Sequence, residues 1–215
     1  MSMRTVQLGE ICTINPGTEA PLGEDTPCAF VPMEAVDDWS AKIVRPSVRP
    51  YREVAKGYTS FSNGDVLLAK ITPCMENGKF AMVRGLGSKF GFGSTEFHVL
   101  RASQQVIPEW LLLFWRLPRT RWLAERAMTG SAGQKRVPTG FLESVEIPLP
   151  DLPEQRRIAG ILEQADRLRR TRRYALELSD TFLPAAFLAL FGDLDPGGAQ
   201  TDVPPISAIK LQFCL

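Results

Sequence analysis

A single histidine, His98 in TEFHVL, limits the acid–base and nucleophilic chemistry open to this 215-residue chain. A Ser–His or Cys–His pair would have to run through that imidazole, because a hydroxyl or thiol is activated by a base within hydrogen-bond reach. Its neighbours Phe97, Val99 and Leu100 are apolar, so His98 is expected on a strand as a satisfied structural group. Asp65 and Lys70 in GDVLLAK faintly suggest a metal-dependent nuclease. The acidic residue such a site needs two positions before the lysine is Leu68 instead, which leaves it short of a metal ligand. Cys12, Cys28, Cys74 and Cys214 are scattered without a C-x-x-C pair and read as reduced, mostly core, cysteines. GLGSKFGFG is glycine-rich but fits neither phosphate-cradling loop spacing. The expectation is a chain without catalytic residues, metal or cofactor of its own.

What remains is a set of polar, cationic loops. Lys70, Thr72, Asn77 and Lys79 lie in KITPCMENGK; Lys89, Ser94 and Thr95 lie in SKFGFGSTE; Gln134, Lys135 and Arg136 lie in GSAGQKRVPTG. Glutamine reads adenine and arginine reads guanine through paired hydrogen bonds, while lysine, serine and threonine hold phosphates. Glycines let backbone amides approach an anion closely. Each loop alone is an ordinary solvated loop; together they form one cationic rim. The net charge of +1 is unevenly spread: residues 1–55 carry 5 basic against 8 acidic groups, residues 84–140 carry 9 against 3, and residues 154–173 carry 7 against 3. Overall neutrality argues against a nonspecific polyanion coater, and the basic middle suits a localised nucleic-acid face.

These loops need a scaffold, and the chain supplies two kinds. TVQLGEICTI, CAFVPM and KIVRPSV are short β-favouring runs between prolines and glycines, and Asn63-Gly64 makes a turn before the buried strand VLLAKI. GKFAMVRGLG and STEFHVLRAS continue the style to about residue 105. IPEWLLLFWRLPRTRWLAERAM is helical, with Trp110, Leu111, Phe114 and Trp115 as a core stripe, Pro118 dividing two helices, and Arg116, Arg119, Arg121 and Arg126 on the outer faces. FLESVEIPLP reads as a short strand. Asp151 caps a new helix, with Pro153 in its first turn and Glu154 returning a bond to the cap. Ile158, Ile161, Leu162, Ala165, Leu168 and Ala175, continuing to Leu178 and Phe182, step by three and four residues as a coiled-coil seam does. Pro184 is expected to kink or split this helix, and Gly192 to stop it. The expected fold is an α+β body over 1–150 followed by a coiled-coil-type helix over 151–192. Residues 193–215 read as a linker, and ISAIKLQFCL weakly echoes MRTVQLGEIC, as the start of a second body would. No apolar run reaches the length of a membrane span and the N-terminus lacks a signal-peptide core, so the expected location is the cytoplasm.

The order of these motifs resembles a family. GDVLLAKITPCMENGKFAMV, GSTEFHVLR, IPEWLLLFWRLPRTRWLAERAMTGSAGQKRV and VEIPLPDLPEQRRIAGILEQADRLRR are similar to the target recognition domain and conserved helix of the specificity subunit of type I restriction-modification enzymes, over about residues 6–192. The most specific part is the coupling of G-x-x-G-Q-K-R-V to I-P-L-P-x-L-P-E-Q-R-R-I across a short strand. The resemblance implies an α/β body that reads a half-site in double-stranded DNA, paired helices that space two half-sites, and no catalytic residues. It also implies a methyltransferase subunit that supplies S-adenosylmethionine chemistry, and a restriction subunit that can join the assembly. Specificity subunits of this family usually carry two recognition domains and two helices, whereas this chain has one of each. It is therefore expected to be a half-sized subunit, homodimerising through the 154–182 helix to read an interrupted palindrome, or a truncated product. The alternatives are an interaction or inhibitory module that occupies the methyltransferase subunit, and the nuclease built on Asp65 and Lys70.

Overall fold

A computed structural model describes residues 4–17, 22–88, 90–131 and 133–192. The elements run in order through Thr5–Gln7 (β1), Leu8–Ile11 (α1), Cys12–Ile14 (β2), Pro27–Val31 (β3), Val36–Asp37 (β4) and Lys42–Ile43 (β5). Ser47–Pro50 (β6), Tyr51–Val54 (α2), Thr59–Phe61 (β7), Val66–Ala69 (β8), Phe80–Met82 (β9), Gly91–Gly93 (β10) and Phe97–Ala102 (β11) follow. The last are Pro108–Arg116 (α3), Pro118–Ala127 (α4), Thr139–Ser144 (α5), Glu146–Pro148 (β12) and Leu152–Phe191 (α6). This is the expected mixed α/β body followed by a long helix.

Two four-stranded sheets, in orders β2-β11-β8-β9 and β6-β3-β10-β7, build the body. The four residues of β8 are all buried because their sheet is covered on both faces. Val66 and Leu68 face a core shared with Phe80, Leu100 and the α3 residues Trp110, Leu111 and Trp115. Leu67 faces a second core with Val31, Phe61, Phe97 and Val99, between the sheets. Period-two alternation thus feeds two cores rather than one core and solvent. A third cluster, with Cys28, Phe30, Val54 and Phe92, lies under α2. In β10 the expected use of glycine is corrected: a Cβ on Gly91 would overlap the Phe61 ring. That glycine admits an aromatic side chain rather than an anion.

Several local expectations are also corrected. TVQLGEICTI is broken by the single turn α1, which buries both Leu8 and Ile11 three residues apart. FLES forms α5, and only Glu146–Pro148 is a strand, paired antiparallel with β1. The aromatic stripe and the break at Pro118 are as expected. Arg119 and Arg126 are exposed, but Arg116 and Arg121 are half-buried, donating to the carbonyls of Trp39 and Glu76 at 3.3 Å.

Asp151 caps α6 through the Glu154 amide at 3.0 Å, while the Glu154 carboxylate pairs with Arg157 at 2.7 Å instead of returning to the cap. Pro184 lies inside an unbroken α6, costing one backbone bond without ending the helix. Gly192, at φ +75°, follows its last turn. The chain divides into two compact units at 162/163, so the start of α6 belongs to the first. There Gln155 is fully buried, accepting from the Ile107 amide at 3.0 Å and donating to the Gln105 and Pro150 carbonyls at 3.0 and 2.8 Å. In the second unit α6 leaves an apolar stripe in solvent, with Leu168 65% and Phe182 64% exposed. The expectation about apolar runs is corrected: one 18-residue window of α6 reaches a mean hydropathy of 1.3, long and apolar enough to cross a membrane by length and composition. Residues 193–215, with the echo of the N-terminus, lie outside the described residues.

Candidate nucleic-acid interface

Backbone bonding holds the stretch from Thr129 to Val137 against the body. Thr129 and Arg136 exchange amide–carbonyl bonds at 3.0 and 2.8 Å, closing a loop. Gly130 turns this loop at φ +123°, and a Cβ there would lie 2.8 Å from the Gln134 carbonyl oxygen, so glycine is required for both conformation and space. Next, the Thr72 amide donates to Lys135 O at 3.0 Å and the Val137 amide to Lys70 O at 2.9 Å, tying the loop to the chain leaving β8. The expected placement of this stretch inside the body, rather than in a linker, is what the fold has.

Side chains lock the same joint from below. His98 is buried on β11, with Nε2 2.8 Å from Val137 O and Nδ1 3.1 Å from the Asn15 amide nitrogen. A carbonyl only accepts, so Nε2 carries the proton and Nδ1 accepts from Asn15. Burial pushes the His98 pKa below its ordinary value, which keeps the imidazole neutral. Arg136 forks onto Glu96 through bonds of 2.8 and 2.9 Å, and that hydrogen-bonded guanidinium holds the Glu96 carboxyl below the usual range.

The expected cationic rim divides into groups that the fold joins and groups that it separates. Lys70, Thr72, Ser94, Gln134, Lys135 and Arg136 are linked through the bonds above and through Glu96, whose carbonyl accepts from the Lys70 amide at 2.9 Å and whose amide donates to Ser94 Oγ at 3.2 Å. Gln134, Lys135 and Thr95 have exposed side chains. Arg136 is half-occupied by its carboxylate, and Thr72 Oγ1 donates to Glu76 Oε1 at 2.9 Å. Lys79 is turned away: its ammonium donates to the carbonyls of Met33 and Val36 at 3.3 and 3.0 Å, a backbone-bracing role. Lys89 lies outside the described residues. The residues missed by sequence reasoning are Asn15, Glu76 and Glu96. Only Asn15 carried a local signal, as the Asn-Pro-Gly turn in which it takes φ +53°.

Among the described residues, Asp65 and Cys12 are, like His98, taken up by the fold. Asp65, 2% exposed, accepts two bonds of 2.9 Å from Arg101 and one of 2.7 Å from the Ser62 amide. Its salt bridge removes the carboxylate on which the nuclease reading depended. Burial pushes the Cys12 thiol up to about 12, as expected of a core cysteine. Among the described residues no group of three or more His, Cys, Asp or Glu could hold a metal ion.

The body thus fastens an exposed polar loop to its core and continues into the long helix α6. The chain belongs to the type I restriction modification DNA specificity domain family, whose model matches residues 2–178. It is 42% identical over 156 residues to the type I restriction enzyme EcoEI specificity subunit of Escherichia coli, covering 72% of this chain and 26% of that protein. To the EcoAI specificity subunit of the same organism it is 41% identical over 152 residues, covering 70% and 26%. Its fold is similar to that of the HsdS subunit from Thermoanaerobacter tengcongensis, with a TM-score of 0.65, 25% identity, and 93% of this chain and 51% of that chain covered. A chain from work on complex assembly and conformational transition of the type I R-M system matches with a TM-score of 0.64, 26% identity and the same coverage. This chain therefore spans about a quarter of the curated relatives and about half of these solved chains.

Proposed function

We propose that this chain is a non-catalytic sequence-recognition subunit of a type I restriction-modification system, which reads one half-site of duplex DNA and directs a methyltransferase subunit to it. The observation that carries this reading is the anchored loop. Gln134 and Lys135 stand exposed on a backbone tied to β8 and β11, and a contact held on a rigid base discriminates better than one on a mobile linker. Gln134 suits an adenine edge, Lys135, Lys70 and Arg136 suit phosphates, and Thr72, Ser94 and Thr95 complete the rim. Family membership supports the DNA-specificity part of the reading. S-adenosylmethionine then belongs to the methyltransferase subunit, and a restriction subunit joins the same assembly in the cytoplasm.

The exposed stripe on α6 supports a pairing role, with Leu168 and Phe182 among the residues a second helix would cover. In this reading a homodimer places two bodies on an interrupted palindrome. The same stripe also favours the second reading, a module that occupies the methyltransferase subunit without productive DNA binding. The test is a selection from randomised duplexes with the full chain, alone and with a type I methyltransferase subunit, followed by mapping of methylated sites. An enriched bipartite motif is expected. Capture of the methyltransferase subunit with no enriched motif would move the assignment to the interaction module.

A further inference from the structure

Beside the anchored loop is a cleft of about 600 Å³, lined by Thr72, Glu76, Trp122, Arg126, Met128 and Lys135 among others. We infer that it receives the edge of one DNA base and that Glu76 recognises an exocyclic amino group there, that of cytosine or adenine. The inference rests on the DNA-recognition reading above and adds a specificity-determining residue to it.

Its chemistry follows from what each wall carries. Glu76 has one carboxylate oxygen held by Thr72 Oγ1 at 2.9 Å, and the other, Oε2, is shielded from solvent with no hydrogen-bond partner. An acceptor left unmatched at such a place is poised to gain from a donor brought by a ligand. The terminal torsion of a glutamate is soft, so a small rotation presents Oε2 to the cleft. Thr72 also donates its amide to Lys135 O, so the residue orienting the carboxylate is the residue anchoring the recognition loop. Trp122, which also lines the cleft, is 53% exposed with the Arg126 guanidinium 4.9 Å from its ring centroid, an apolar face with a cation against it.

Charge narrows the ligand. A carboxylate repels phosphates, so Glu76 and Glu125, which also lines the cleft, would hinder a surface that binds DNA by its backbone alone. On the major-groove edges of the bases, the exocyclic amines of cytosine and adenine are the donors a carboxylate matches, and Lys135 and Arg126 at the rim offset its charge toward the backbone.

The test uses the full chain and the duplex enriched from a randomised pool. Each cytosine or adenine in that duplex is replaced in turn by an analogue lacking its exocyclic amino group. One position is expected at which the analogue weakens wild-type binding by about tenfold, and the analogue that does so identifies the base. Glu76→Ala, and Glu76→Met where the alanine variant fails to fold, should lose that discrimination while keeping the preferences at every other position, which a general loss of stability would not do. Unchanged discrimination in the folded Glu76→Ala or Glu76→Met variant, or no amine-sensitive position in the wild type, overturns the role of Glu76 and leaves DNA recognition standing. A wild-type chain that enriches no motif overturns both.

Discussion

His98 Nε2 donates to the carbonyl oxygen of Val137 at 2.8 Å, joining the central strand β11 to the end of the glycine loop across 39 residues of sequence. Through this bond, and through Asn15 on its other nitrogen, the single histidine fastens the glycine loop to β11.

Replacing His98 by Phe strands the Val137 carbonyl and the Asn15 amide, and should cost about 1–3 kcal/mol in chemical denaturation. The pH dependence has a definite sign. The folded pKa lies below the ordinary 6.5, so the unfolded chain protonates first. The contribution of His98 is fully present above 6.5 and declines as pH falls toward the folded value. The wild type should lose stability over that window more steeply than His98→Phe does, as parallel denaturation series at pH 7.5 and 5.5 would measure.

Asp65→Asn should destabilise the body by about 2 kcal/mol, because a neutral amide replaces the buried carboxylate that accepts charge-assisted bonds from the half-buried Arg101. The wild-type chain should leave supercoiled plasmid intact with magnesium or manganese, since Asp65 is committed to that pair. Cleavage abolished by the substitution would restore the nuclease reading.

Gly91→Ala should cost about 1–3 kcal/mol, because the new methyl group and the Phe61 ring compete for one space. Gly87→Ala, where nothing lies within 4 Å, should leave the melting midpoint unchanged within error.

For the loop, Gln134→Ala should relax sequence preference at one position, while Lys135→Ala should weaken binding to all duplexes and lower the salt slope by about one. Both side chains are exposed, so thermal melting should be unaffected. Equal binding by both variants and the wild type would remove these residues from the interface.

On α6, Leu168→Glu should convert a dimer to a monomer in sedimentation at micromolar concentration, without altering the melting of the body. A wild-type chain that sediments as a monomer at that concentration would sink the homodimer.

Much of the scaffold was legible because it depends on neighbours in sequence. The Asn63-Gly64 turn, the helix pair divided at Pro118, the Asp151 cap and the stop at Gly192 follow from dihedral preferences and missing donors, which act over a few residues. The failures came where tertiary packing overrode local pattern. Leu8 and Ile11 form a buried helical turn inside an apparent strand because both face one core, and Pro184 is absorbed because a long helix survives one lost bond.

The candidate site divides the same way. Composition marked Gln134, Lys135 and Arg136 as a polar loop, but Lys79 and Arg136 look alike in sequence and differ in partner. One braces two carbonyls, and the other closes on Glu96. Glu76 carried no signal in a cationic segment. By itself the sequence determined the helix pair, the start of the long helix and the family resemblance, since these reside in residue types and short spacings. Only the tertiary structure decided which charges are free to meet a ligand. A side chain's partners are set by strands that are distant in sequence, and burial, not identity, decides whether a carboxylate or an imidazole is spent on the fold.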